Sequence, residues 1–145
     1  MHRRKIVRDA MIETIKNAAT AAGQRVIAHR SWSFNEDELP AVRVFVPQEA
    51  PIAGQSFTGD RVSRIMIRVE AIVIGNDSVE DDTDALCEQI ENAVMTHPTL
   101  GGQVDTEGFA PAGACQYCQL QSVEIDFEDD DKTVMVATNE YEAVV

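Results

Sequence analysis

The sequence predicts a single α+β domain, and three observations carry that prediction. The chain has 145 residues, the length of one domain whose core needs no disulfide or metal staple. Apolar residues recur with helical period over 3–22 and 78–97, and strand-like patterns fill five other stretches. Composition is that of a globular chain, 44% hydrophobic and 26% charged, with no internal repeat and no low-complexity tract.

The spacing of Val7, Met11, Ile15, Ala18 and Ala22 predicts an amphipathic helix over 3–22, stopped by Gly23. Arg4, Arg8, Asp9, Glu13 and Lys16 cover its other sides. The apolar face is rich in alanine and lacks aromatics, which favours a core contact over a membrane surface. A short strand follows over 25–32. A second, "LPAVRVFVP" at 39–47, puts Val42, Val44 and Val46 on one face. The longest strand is expected over 60–75, with Ile65, Ile67, Val69, Ala71 and Val73 buried. Its opposite face carries Arg64, Met66, Arg68 and Glu70, mixed enough to be partly wet or to meet a partner. The intervening "PQEAPIAGQSFTG", 47–59, is long for a plain connection. It reads equally as a flexible hairpin extension or as a partner-contacting arm using Ile52, Gln55 and Phe57.

The second helix, 78–97, opens at Ser78, with Asp81 placed to complete a capping box. Leu86, Ile90, Val94 and His97 form its stripe, and Pro98 follows its end. Residues 98–114 are a second irregular region. The C-terminal part reads as an antiparallel hairpin: Val123, Ile125 and Phe127 alternate with Glu124, Asp126 and Glu128, "DDDK" turns the chain, and "TVMVATNEYEAVV" returns.

The acidic start of the second helix, Glu80, Asp81, Asp82 and Asp84, resembles a metal or acid–base cluster at first sight. Helix N-termini favour carboxylates on electrostatic grounds alone. The stretch "NDSVEDDTD" also lacks the glycine and distant glutamate of a calcium loop. Capping accounts for the cluster, and no metal is expected. Cys115 and Cys118 form a lone C-x-x-C followed by a strand pattern rather than a helix. A redox pair wants a helix there, and zinc wants two further ligands. On a strand, cysteines three apart are expected on opposite faces. With Cys87 they make three cysteines, an odd number that argues against a disulfide framework in a chain with no signal peptide expected. No Walker loop, G-x-G-x-x-G or G-x-S-x-G occurs. No catalytic residue, cofactor or metal is expected, and the competing reading is a small metal- or thiol-dependent enzyme.

Net charge is −13, distributed unevenly. Residues 1–68 hold 11 Lys/Arg against 7 Asp/Glu, whereas 69–145 hold one lysine against 18 acids. That second half does not suit phosphate binding. A basic half and an acidic half could instead meet between copies in an assembly. No apolar run is long enough for a membrane span and no signal-peptide core is present, so cytoplasmic synthesis and no membrane partner are expected.

One family has pieces in this order. A leading amphipathic helix, "LPAVRVFVP", a strand ending "VEAIVIG", then "DDTDALCEQIENAVMTHPTLGG" and a terminal "VATNEYEAVV" with Tyr141 resemble the tail terminator (minor tail protein U-like) family of tailed bacteriophages. Residues 80–102 are the most telling, and 103–118 match no pattern of that family. The resemblance implies a twisted, mixed or antiparallel sheet carrying two helices. It also implies a homo-oligomeric ring, usually of six copies, located in the virion. Such a ring caps the tail tube, ends its polymerisation and meets head, neck, connector or sheath proteins. Genomic DNA passes through it without specific binding. Within that frame Arg64, Arg68 and Glu70 are expected at a subunit contact, and Ile52, Gln55 and Phe57 in a partner-contacting loop. The acidic turn Asp129, Asp130 and Asp131 is expected to face the channel. A head–tail connector or neck ring is the neighbouring expectation.

Overall fold

A computed structural model describes residues 2–28, 36–52, 63–75, 78–101, 113–127 and 134–145. The elements are α1 (Arg3–Asn17), β1 (Val26–Ala28), a 3-10 turn (Glu36–Glu38), β2 (Ala41–Pro51), β3 (Ser63–Ile74), α2 (Val79–Thr96), β4 (Tyr117–Phe127) and β5 (Val134–Val144). The five strands make one sheet in the order β1-β2-β3-β5-β4. β1 runs parallel to β2 and the other pairings are antiparallel. This is the expected α+β class, a mixed sheet with two helices.

Strand alternation builds the core. Val42 and Val44 of β2, Ile65, Ile67 and Val69 of β3, and Ala137, Tyr141 and Ala143 of β5 are all buried. α1 lies over β1 and β2, and α2 over β3 and β5. Val7, Met11 and Ile15 from the first helix and Leu86, Ile90 and Val94 from the second close the same cluster. Each such side chain contributes about 1.5–3 kcal/mol on burial, which is why two short helices hold their places.

Several boundaries differ from expectation. α1 ends at Asn17, not at residue 22. Ala19 takes a left-handed φ of 52° and Gly23 one of 59°, and the turn between them returns the chain toward β1 while Ala22 still packs in the core. Alanines continue the apolar spacing without marking where a helix stops. β2 continues to Pro51 across a register shift between Phe45 and Gln48. Pro47 lies in that shift, where a bulge accommodates a residue with no N–H for the ladder. After the bulge Glu49 pairs with Ile65 on the helix side. It meets His2, Arg3 and Arg4 at 3.9, 3.8 and 3.7 Å.

Ser78 precedes α2 as expected, but its side chain caps no backbone N–H and instead donates to Asp82 Oδ2 at 3.1 Å. Cys115 and Cys118 do not point apart. Cys115 lies before β4 begins, so strand alternation does not govern it, and both thiols bury in the common core.

Candidate functional site

The sheet face away from the helices carries a cross-strand charge ladder. Arg43 Nη2 donates to Glu70 Oε2 at 2.7 Å. Arg68 Nε and Nη2 both donate to Glu140 Oε1, at 3.1 and 2.8 Å, and its guanidinium lies 5.3 Å from the Phe45 ring centroid. Arg64 Nε is 3.8 Å from Glu142. The anticipated Arg64, Arg68 and Glu70 are thus brought onto one face. Their partners Arg43, Glu140 and Glu142 went unnoticed in the sequence. The signal was there: "EYE" alternates on β5 as the arginines do on β3, and the antiparallel register sets Arg68 opposite Glu140. Such pairs link neighbouring strands. Arg64 is 59% exposed and at longer range from its acid than Arg43 or Arg68.

On the helix side, β4 carries a surface that periodicity alone did not reveal. Leu120, Val123, Ile125 and Phe127 register with Tyr141, Asn139, Ala137 and Met135 of β5. Those β5 residues are buried, yet the four on β4 remain 37%, 42%, 48% and 41% exposed. The second helix covers β3 and β5, so the outer strand extends beyond its shelter. Where α2 does approach β4, a cleft of about 430 Å³ opens, lined by Glu91, Val94, Met95, Cys118, Leu120 and Tyr141 among others. Alternation predicted an apolar face for this hairpin; only the placement of α2 determines that part of it meets solvent.

The opposite edge differs. Beside β1, a cleft of about 310 Å³ is lined by His2, Arg4, Lys5, Arg8, Ala28 and Val46. Lys5 and Arg8 both bind Asp9, at 2.6 and 3.1 Å. These contacts, with the Lys5 hydrogen bond foremost, hold the Asp9 carboxyl below its ordinary range.

All three thiols are buried. Burial pushes Cys115 up to about 11, and burial followed by the neighbouring Cys115 pushes Cys118 higher still. Cys87 is also raised, by burial first, despite a hydrogen bond from Asn139 Nδ2 at 3.7 Å. An activated nucleophilic cysteine has the opposite shift. Among the described residues, no three His, Cys, Asp or Glu side chains come together in a way that could hold a metal ion. Glu80, Asp81 and Asp82 form the first turn of α2, where the dipole favours them. No helix is long and apolar enough to cross a membrane among the described residues. Ile52 follows β2 directly and is half-buried. Gln55, Phe57, Asp129, Asp130 and Asp131 lie outside the described residues.

No protein-family model matches the chain, and no curated protein matches it. In fold it is similar to a solved chain from the virion of native gene transfer agent (GTA) particle, with a TM-score of 0.60 and 11% identity. The likeness covers 96% of this chain and 93% of that one. At that identity the likeness is one of fold.

Proposed function

We propose that this chain is a structural protein of a phage-like virion. Its role is to form a ring, usually of six copies, that caps the tail tube, ends tube growth and joins the tail to the head or neck. The observation that carries this reading is the near end-to-end fold likeness to a chain of a virion particle, which accords with the resemblance of residues 80–102 to tail terminators. Three buried thiols, each shifted away from reactivity, favour a binding role over thiol catalysis. The acidic C-terminal half suits a conduit whose wall must release DNA rather than hold it.

The partners are then other copies of the chain, the tail tube protein, and connector, neck or sheath proteins. Arg64 is the member of the charge ladder with most capacity left for a neighbouring subunit, while Arg68 and Glu70 keep the strands beneath it in place. Ile52, Gln55 and Phe57 serve as the arm toward tube or neck, and Asp129, Asp130 and Asp131 as an acidic collar in the channel.

The test is a capping assay. Purified protein added to polymerising tail tubes should stop elongation and leave ring density at one end of each tube. Tubes that lengthen unchanged, with the protein binding the head-side surface instead, would replace the terminator reading by a neck or connector ring.

A further inference from the structure

The two edges of the sheet carry complementary chemistry. At the β4 edge, Leu120, Val123 and Ile125 form an apolar floor on the helix side, continuous with the cleft under α2. Asp84, Cys87 and Glu91, spaced three and four apart, share the side of α2 above that floor. Glu91 lines the cleft, and Cys87 lies 3.7 Å from Asn139, the cross-strand partner of Val123. The groove is therefore apolar below and acidic along its rim. At the β1 edge, His2, Arg4, Lys5 and Arg8 surround Ala28 and Val46. Asp9 and Glu49 offset part of that charge, and among the described residues a cationic excess remains. Long Lys and Arg stems can cover apolar surface while their heads reach carboxylates.

We propose that the β4–α2 groove of one copy receives the α1–β1 edge of a second copy. This deepens the ring reading and rests on it for closure, but the pairwise contact is testable by itself. The two patches lie at opposite ends of one sheet order, so the contact is head-to-tail. A head-to-tail contact repeats from copy to copy until the rotation closes. It places the basic part of the first half of the chain against the acidic second half, a pairing that charge complementarity favours. It also covers an apolar strip on an outer strand, a surface that otherwise invites uncontrolled pairing.

The experiment uses two variants of the full chain. The groove variant is Val123→Asp with Ile125→Asp; the edge variant is Arg4→Glu, Lys5→Glu and Arg8→Glu. Both change exposed or half-buried positions, and circular dichroism is used to check that each stays folded. By sedimentation velocity, each alone should self-associate about tenfold or more weakly than the parent chain. Mixed, they retain one intact groove and one intact edge, and should form a two-chain species and nothing larger. A third variant, Asp84→Lys with Glu91→Lys, should bind the edge variant and regain association. Assembly of either first variant like the parent overturns the contact while leaving the ring reading standing, and so does a mixture that stays single-chain. Groove variants that lose only tube binding overturn it too, by assigning the groove to the tube. A parent chain that neither self-associates nor caps tubes overturns both.

Discussion

Buried polar groups are the most exposed to single substitutions. Arg43 and Glu70 form a nearly enclosed ion pair at 2.7 Å. Removing one partner strands the other charge, so Arg43→Ala is expected to cost about 3–5 kcal/mol. The double change Arg43→Met with Glu70→Leu should recover most of that loss, because no charge is then left buried; urea unfolding of the three variants measures both. The thiols predict a pH dependence. Cys115 rises from an ordinary value of 9.0 to about 11 in the fold. Below 9 the thiol is protonated in both states and its contribution is complete. Between 9 and about 11 the unfolded chain loses the proton first, so stability falls as pH rises. A urea midpoint that declines across that window, and declines less in Cys115→Ala, is the expected result. Native thiols should also react slowly with a disulfide reagent at neutral pH and quickly once unfolded.

Elements with a repeating pattern were legible in the sequence; their ends and their cover were not. The face of β3 follows directly from alternation, with Ile65, Ile67 and Val69 all buried. The stripe of Leu86, Ile90 and Val94 on α2 follows just as directly from helical spacing. The end of α1 does not, because Ala18 and Ala22 continue its apolar spacing through a turn that only tertiary packing demands. Ala19 carries the cost of that turn with φ 52°. A left-handed alanine is strained by about 1–2 kcal/mol, part of which Ala19→Gly returns in the unfolded chain's extra freedom. A net gain of about 0.5–1 kcal/mol in thermal or urea unfolding is expected, whereas Ala18→Gly, at φ −74°, should give no gain. The bulge at Pro47 was not legible, because the strand pattern stops at that proline while the ladder resumes beyond it. The shared burial of Cys115 and Cys118 was not legible either, since it depends on where β4 begins. The bare strip of β4 likewise depends on how far α2 reaches, which no local period encodes.

At the scale of the molecule, the sheet has one edge bordered by cations and another by an apolar strip beneath acids, and its open face bears a charge ladder whose Arg43–Glu70 and Arg68–Glu140 rungs are closed within the chain. The proposed head-to-tail contact would pair these two edges between copies. Charged rims should make the association weaken as salt rises past the range where the screening length drops below about 8 Å. The proposed ring is tested best by solution mass from light scattering across protein concentration, alone and with tail tube ends present, followed by images of any large species. One discrete closed assembly is expected, of the same copy number under every condition that produces it. A single-chain mass throughout, including in the presence of tube ends, would contradict it.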